Sequence, residues 1–364
     1  MAPPFARGLR AASLLWRLRR GRLAVASVNV LNRCNQACPM CAVHATPDRE
    51  PPLDELTRAF RALRDRGVRA VEISGGEPFL RQDLPALVAA LDRLGLLFTV
   101  TTNGAVLTGP GLDALVRARG LLQVALSLDS LDRERYRLLR GSDQLDRALA
   151  GLERLQAARL PAPLKLNFAM SRHNHEETPA LLALARERGL FLSAFPVNQG
   201  PGAHRSHGQV FAASTGERQA MAARFEELAR LRRGGAPLWE PAAFYRAAAR
   251  FLRGEPLGPC GAGALYLDLR ADGSVAPCVE LPPVATAADL ASGRAEAAMA
   301  AARARVERCR AETPCCYTCT VNLAEISRHP LAFALEQARV LLARRLRRPA
   351  AEPAAPGAPR ERKA

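Results

Sequence analysis

The stretch Asn32-Arg33-Cys34-Asn35-Gln36-Ala37-Cys38-Pro39-Met40-Cys41 places three thiols at the spacing C-x3-C-x2-C. Three thiolates so close together suit a [4Fe–4S] cube, because each can bind one iron corner. The fourth iron is then left without a protein ligand, and such an iron can bind a small molecule and pass it an electron. The alternatives are cysteines scattered in the core and a structural zinc site, which needs four nitrogen or sulfur ligands and for which His44 could supply the fourth.

This cysteine spacing resembles that of the radical S-adenosylmethionine (radical SAM) enzymes. The resemblance implies that the open iron chelates the amino and carboxylate groups of S-adenosylmethionine. It also implies that the reduced cluster cleaves this cofactor to a 5′-deoxyadenosyl radical. Met40 stands where family members often carry an aromatic residue that packs on the adenine, and its polarizable thioether can make the same contact.

The rest of the front half alternates between apolar strands and amphipathic helices. Predicted strands cover 25–31, 69–74, 96–102, 121–128, 164–170 and 190–195, and predicted helices cover 53–66, 83–94, 110–119, 131–140, 143–158 and 175–188. Repeated strand-then-helix units predict an α/β fold with a parallel sheet and helices outside it. Their count and spacing look like the partial (β/α)6 barrel of the radical SAM core. Active sites of parallel barrels lie at the carboxyl ends of the strands.

Polar motifs follow several of these strands. Ser74-Gly75-Gly76-Glu77-Pro78 matches the family's GGEP motif, whose glycines let backbone carbonyls approach a ligand. The resemblance implies that they bind the amino group of S-adenosylmethionine, although Glu77, followed by proline, could equally be structural. Thr101–Gly104 and Ser127–Ser130 resemble positions that contact the cofactor carboxylate and ribose. The predicted cofactor contacts are Gly75, Gly76, Glu77, Pro78, Thr102, Asn103, Ser127, Asp129, Arg172 and Met40.

Two further loops are assigned by the resemblance. Arg172, after the fifth strand, is expected to pair with the cofactor carboxylate through a charge-assisted hydrogen bond. Val197 and Asn198, after the sixth strand, stand where family members contact the adenine. The loop 198–207 could reach the mouth of the barrel, but His204 and His207 are better interpreted as surface residues.

Six of the nine cysteines lie after residue 259. Two alternating runs separated by Asp272-Gly273 predict a β-hairpin, which brings Cys260 and Cys278 towards each other. Cys316 and Cys319 form a later C-x2-C pair. This arrangement resembles the Twitch extension of radical SAM enzymes, a relative of the SPASM extension. It implies an auxiliary [4Fe–4S] cluster on Cys260, Cys278, Cys316 and Cys319.

Two cysteines of this region, Cys309 and Cys315, are left over. Cys315 could replace Cys316 because they are adjacent, and either residue, like Tyr317, could relay hydrogen atoms or simply pack. A four-cysteine zinc site is the alternative for the region as a whole. Clustered cysteines in a long chain also indicate a reducing compartment, so we expect a cytoplasmic protein.

The net charge of +17 does not indicate nucleic acid, because 1–23 and 344–363 supply eleven of the charges. Basic ends can attract an anionic membrane surface, and solvated termini are the alternative. No run reaches the length needed to span a bilayer. The expected domains are a basic segment 1–23, a core barrel 24–213, a helical linker 214–256, an auxiliary domain 257–325, a basic helix 326–348 and a disordered tail 349–364.

The predicted function follows from the resemblance. A one-electron donor of the ferredoxin or flavodoxin type reduces the first cluster, S-adenosylmethionine is cleaved, and hydrogen is abstracted from a peptide or small-molecule substrate. The auxiliary cluster would accept an electron or anchor the substrate. The protein would then be an oxidoreductase or a maturase of peptides or natural products. The alternative is a non-catalytic iron–sulfur electron carrier or a zinc-stabilised binding module.

Overall fold

Nine strands form one sheet in the computed structural model, which describes residues 4–198, 210–258, 260–312 and 315–347. They are β1 Val25–Asn29, β2 Ala70–Ser74, β3 Leu97–Thr102, β4 Leu121–Ser127, β5 Leu164–Met170, β6 Phe191–Pro196, β7 Tyr266–Leu269, β8 Ser274–Ala276 and β9 Ala285–Thr286. The order across the sheet is β6-β5-β4-β3-β2-β1-β7-β8-β9. Strands β1 to β6 are parallel throughout, which confirms the predicted α/β fold.

Helices connect the strands. They are α1 Pro4–Arg19, α2 Leu53–Asp65, α3 Leu84–Leu94, α4 Gly109–Arg117, α5 Arg133–Arg140, α6 Leu145–Ala157, α7 Thr178–Glu187, α8 Thr215–Arg233, α9 Ala242–Leu252, α10 Ala287–Ser292, α11 Ala295–Ala301, α12 Arg303–Glu312, α13 Leu323–Arg328 and α14 Pro330–Arg347. Helices α2 to α7 lie between consecutive strands of the barrel, as predicted. Among the described residues, no helix is long and apolar enough to cross a membrane.

The strands of the barrel alternate between an apolar and a polar side. Val71, Ile73, Phe98 and Val100, for example, are buried in the main core, and so are the corresponding residues of β4 and β5. Side chains on a strand point alternately to opposite faces, so the residues between them face the other way, into the barrel. The apolar face therefore packs against the helices, and the barrel interior receives the polar side chains.

The predicted hairpin is present and has a further partner. Strands β7 and β8 are antiparallel, and Gly273 in the turn between them has φ +81°, which favours glycine. Strand β7 also pairs in parallel with β1, with Val25 opposite Tyr266. The sequence did not indicate this pairing. The hairpin that carries two of the predicted auxiliary cysteines therefore extends the barrel sheet itself.

The regions flanking the barrel are helical. Helices α8 and α9 occupy the predicted linker, and Ser214 begins α8 with a capping box to Glu217. The predicted C-terminal helix is divided into α13 and α14 before Pro330, because a proline cannot continue the helical hydrogen bonds. Most of the predicted loop 198–207 and the predicted tail after residue 348 lie outside the described residues.

Candidate active site

A cavity of about 480 Å³ opens inside the barrel. Cys34, Cys38 and Cys41 all line it, and one loop after β1 carries them, with Cys41 N donating to Cys38 O over 2.9 Å. The ends of β2, β3 and β4 contribute the opposite wall, which includes predicted cofactor contacts. Those that line the cavity are Met40, Gly75, Gly76, Glu77, Thr102, Asn103, Ser127 and Asp129. The structure thus brings eight of the ten predicted cofactor residues to the same cavity as the three front thiols.

The two glycines after β2 pack directly on the backbone of the cysteine loop. Gly76 N donates to Leu31 O over 2.8 Å, and Glu77 N donates to Arg33 O over 2.9 Å. A β-carbon on Gly76 would lie 1.8 Å from Arg33 O, and one on Gly75, where φ is +127°, would lie 2.2 Å from Leu31 O. Only glycine therefore allows this close approach. The motif holds the cysteine loop as well as facing the cavity.

Glu77 joins the ends of two strands. Its Oε1 accepts hydrogen bonds from Phe79 N over 3.1 Å and from the Thr102 hydroxyl over 2.7 Å. Its Oε2 accepts one from Asn103 N over 2.7 Å. Burial raises the pKa of Glu77 to about 6, although these three bonds lower it. The carboxylate has a structural role, which leaves the Asn103 side chain free to bond Asn35 in the cysteine loop over 2.8 Å.

Arg140, at the end of α5, connects the cysteine loop to β4. Its Nη1 lies 3.8 Å from Cys38 Sγ, and its Nε lies 2.8 Å from Asp129 Oδ2, an ion pair whose atoms are not aligned as a hydrogen bond. Burial raises the pKa of Cys38, and the guanidinium opposes that shift. The sequence analysis missed Arg140, because one arginine in an amphipathic helix gives no local signal.

Two predicted cofactor residues do not line the cavity. Arg172 Nε donates instead to Val210 O over 3.2 Å, and its Nη1 lies 3.8 Å from Glu217 Oε1 at the start of α8. Pro78 begins a short 3-10 helix, Pro78–Leu80, behind the glycines. Asn198 also lies elsewhere: its Oδ1 accepts from Cys316 N over 2.8 Å.

The front thiols have the chemistry that a [4Fe–4S] cluster needs. Burial raises the pKa of Cys34 to about 11, and the neighbouring Cys38 and Cys41 contribute to the shift. A zinc ion draws its ligands to about 2.0–2.3 Å from one point. A [4Fe–4S] cube instead takes one thiolate at each separate iron, so thiols spread around a cavity suit it.

The rear cysteines gather in a second, smaller cavity. Cys260, Cys278, Cys309 and Cys315 line it together with Val306 and Tyr317. Cys319, in the π-helical segment Thr318–Asn322, packs against the apolar cluster that includes Cys278 and Val306. Burial raises the pKa of Cys278 to about 12, and Cys260 and Cys309 add to the shift. Five of the six rear thiols therefore lie in or beside this smaller cavity.

Cys316 is placed differently from the other rear cysteines. It is fully buried in the main core and does not line the thiol-rich cavity. Cys315, its neighbour, faces that cavity instead. The alternative that Cys315 takes the place of Cys316 agrees with this placement.

The two cavities meet at the start of the π-helical segment. Tyr317 lines both cavities, and Cys319 lines the barrel cavity. The Tyr266 hydroxyl donates to Ser27 Oγ over 2.6 Å and lies between the barrel strand β1 and Cys319. An auxiliary group on the rear thiols would therefore border the interior of the barrel.

The barrel interior contains polar residues that the sequence analysis did not select. Glu72, Thr99, Gln123, Lys165 and Asn167 all line the cavity. Each stands between two apolar residues of its strand. Alternation of polar with apolar residues in strands covered by helices was a usable signal, because a filled barrel interior is apolar.

Comparison with known proteins agrees with this geometry. Residues 28–190 match the family model of the Radical SAM superfamily. A GTP 3′,8-cyclase of Chlorobaculum tepidum is 38% identical over 169 residues, which are 45% of this chain and 50% of that protein. The chain spans about half the length of the curated relatives it matches first.

Two solved structures share the fold. Streptococcus suis SuiB bound to S-adenosylmethionine superposes with a TM-score of 0.58 at 19% identity, over 71% of this chain and 61% of that chain. The protein anSMEcpe, with bound AdoMet and the Cp18Cys peptide, superposes with a TM-score of 0.59 at 14% identity, over 89% of this chain and 99% of that chain. At these identities the likeness extends to the fold alone.

Proposed function

The chain contains a radical SAM domain, and on that premise we propose that it is an enzyme that cleaves S-adenosylmethionine reductively and abstracts hydrogen from a substrate in the barrel cavity. The supporting observation is that Cys34, Cys38 and Cys41 line the same cavity as the glycine motif and the ends of β3 and β4. A [4Fe–4S] cluster on these thiols would supply one electron, which divides the cofactor into methionine and a 5′-deoxyadenosyl radical.

The chain's own residues fix the position of the cofactor. Gly75 and Gly76 hold the cysteine loop against β2 and leave their carbonyls for the amino group of the methionine part. Ser127 faces the cavity from β4 and is proposed to bind the carboxylate or ribose. Met40 is proposed to pack on the adenine. Arg172 is withdrawn from this set, since it bonds to Val210 and faces Glu217.

For the rear thiols we propose an auxiliary [4Fe–4S] cluster in a Twitch-like extension. Cys260, Cys278 and Cys319 are retained as ligands, and Cys315 or Cys309 is preferred to the core residue Cys316 as the fourth. Because Cys319 and Tyr317 border the barrel cavity, the cluster lies beside the proposed substrate position. There it can accept an electron from a substrate radical or anchor the substrate.

The finer assignment is a maturase or oxidoreductase that acts on a peptide or small molecule and receives electrons from a ferredoxin or flavodoxin. We place the protein in the cytoplasm, where thiols stay reduced. The GTP 3′,8-cyclases among the relatives offer a nucleotide as the rival substrate. Peripheral membrane contact through the basic ends is proposed only as a secondary property.

The test is anaerobic reconstitution followed by iron and sulfide analysis and an assay for 5′-deoxyadenosine with dithionite. We expect about eight irons per chain and release of 5′-deoxyadenosine. The triple variant Cys34→Ala, Cys38→Ala, Cys41→Ala should keep about four irons and lose cleavage. A protein that binds zinc, or that binds iron without cleavage, would instead be a binding module or an electron carrier.

A further inference from the structure

Four polar side chains line the inside of the barrel, and three of them lie below the level of Ser127. Glu72 on β2, Gln123 on β4, and Lys165 and Asn167 on β5 all line the cavity; we call them the lumen belt. Asn167 stands opposite Ser127 in the sheet. Gln123 precedes Ser127 by four residues, roughly 13 Å along the strand. Gln123 and Lys165 are therefore deeper in the barrel than Ser127, whereas Asn167 lies level with it.

Two oxygens of the lumen belt lack a partner. Gln123 Oε1 and Asn167 Oδ1 are buried, and neither makes a hydrogen bond within the described part of the chain. The Gln123 side chain is only 6% exposed. A buried polar atom without a partner is destabilising, so such atoms are usually satisfied by water or a ligand. Both oxygens need a donor, an N–H or an O–H.

Lys165, the cation of the lumen belt, also has hydrogen-bond donors that no described residue uses. Lys165 is buried, and its Nζ lies 5.5 Å from the centroid of the Trp239 ring, with no hydrogen bond to any described residue. Burial lowers the pKa of Lys165, and the fields of Glu240 and Glu72 only partly oppose this. An ammonium has three donors, which a carbonyl or carboxylate oxygen can accept.

The charges around the cavity limit the ligand. Lys165 and Arg140 are the lysine and arginine side chains that line it within the described residues, and Arg140 already faces Asp129 and Cys38. Carboxylates of Glu72, Glu77, Asp129 and Glu240 line the same cavity. Polyphosphates are normally bound by several arginines, lysines or a metal. This cavity offers one available cation among four acids.

We propose that the lumen belt binds a substrate that contains amides: Gln123 accepts one N–H group, Asn167 accepts a second N–H group nearer the mouth, and Lys165 donates to a carbonyl or carboxylate oxygen. The substrate class is a peptide or N-acylated amino acid of at most one negative charge, not a nucleoside triphosphate. This assignment rests on the proposed function, for which it names the substrate class. The proposed substrate also differs from the GTP that the names of its relatives indicate.

The experiment measures binding by anaerobic calorimetry on the reconstituted full chain with S-adenosylmethionine present. The probes are N-acetylglycine, which carries one amide and one carboxylate, and inorganic triphosphate, which has the charge of a nucleotide but no amide. We expect saturable binding of N-acetylglycine, about tenfold weaker in Gln123→Leu and in Lys165→Met. Triphosphate should show no saturable binding.

A matched control is Gln156→Leu, whose Nε2 bonds Arg188 O on the outer surface over 2.9 Å. This variant should bind N-acetylglycine like the natural protein. Near-ultraviolet circular dichroism checks that each variant is folded, and Gln123→Leu, which preserves volume, keeps the test decisive if Lys165→Met does not fold. Triphosphate binding that Lys165→Met weakens would overturn the assignment, as would N-acetylglycine binding that is absent or unaffected by both variants.

Cleavage of S-adenosylmethionine is assayed on the same preparations. Cleavage without N-acetylglycine binding rejects the substrate class and leaves the proposed function standing. Loss of both iron and cleavage in the natural protein rejects the proposed function itself.

Discussion

Arg140 and Cys38 lie 102 residues apart, yet the guanidinium Nη1 is 3.8 Å from the thiol sulfur. The same arginine faces the buried Asp129 carboxylate, so one cation is shared by a proposed cluster ligand and the end of β4. The position of the cysteine loop therefore depends on a residue that is not itself a ligand.

Replacing Arg140 by methionine should destabilise the protein by about 3–5 kcal/mol, because the Asp129 carboxylate is left buried without its counter-ion. The measurement is urea unfolding of the reconstituted protein. The double variant Asp129→Asn, Arg140→Met should recover part of the loss. Arg133→Met, which removes an exposed arginine paired with Asp143, is the control and should unfold near the natural midpoint. Equal midpoints for Arg140→Met and Arg133→Met would contradict the prediction.

Glu77 should make stability depend on acidity. Burial raises its pKa from 4.5 to about 6 in the folded protein, so the folded state holds the proton more tightly than the unfolded state does. The contribution to stability is present below pH 4.5 and is lost as the pH rises through about 6, an effect of about 2 kcal/mol.

The measurement is the unfolding free energy of Glu77→Gln and of the natural protein between pH 4.5 and 6. It tests whether the Glu77 contribution falls as the pH rises. Glu77→Gln should be less stable at every pH, since one acceptor is lost, but the difference should shrink as the pH rises. The exposed Glu153→Gln serves as control and should show a constant difference. A gap for Glu77→Gln that widens from pH 4.5 to 6 would reverse the predicted sign.

Gly76→Ala should displace the cysteine loop, because the new β-carbon would lie 1.8 Å from Arg33 O. We expect reconstituted protein with about four fewer irons per chain and no 5′-deoxyadenosine release. Gly216→Ala, in α8, meets no atom within 4 Å and is the matched control. Full iron content in Gly76→Ala would mean that the loop tolerates the shift and that the close approach is not required.

Cys316→Ala should keep the auxiliary iron, whereas Cys278→Ala should lose about four irons per chain. The reason is placement: Cys316 is buried in the main core, and Cys278 lines the thiol-rich cavity. Iron analysis and electron paramagnetic resonance of the reduced variants distinguish the two. Similar losses in both variants would restore Cys316 as a ligand.

The barrel could be predicted because its signals are local. Each strand from β1 to β6 is a short apolar run, amphipathic helices separate these strands, and the glycine motif follows β2 directly. Packing partners distant in sequence could not be predicted. Arg140 reaches Cys38 across 102 residues, and Arg172 turns towards Glu217 instead of the cavity, because tertiary contacts decide side-chain direction.

The choice between Cys315 and Cys316 as a cluster ligand could not be predicted from the sequence either. Adjacent residues of an irregular segment face different ways, and only the folded backbone determines which one reaches the thiol-rich cavity. The lumen belt, in contrast, could have been found from sequence. Its four residues interrupt three apolar strands, β2, β4 and β5, each standing between two apolar neighbours.

The pairing of β1 with β7 has a consequence for biosynthesis. Val25 on β1 pairs with Tyr266 on β7, which is synthesised much later. At typical elongation rates of about 5–20 residues per second, the ribosome needs roughly 10–50 s to supply this partner strand. During that time β1 has one open edge, and contacts so distant in sequence slow folding. The cysteine loop that follows β1 is thus translated long before its strand is fully paired. A cluster on the cysteine loop is therefore expected to form after β7 has been synthesised, when both edges of the first strand are paired.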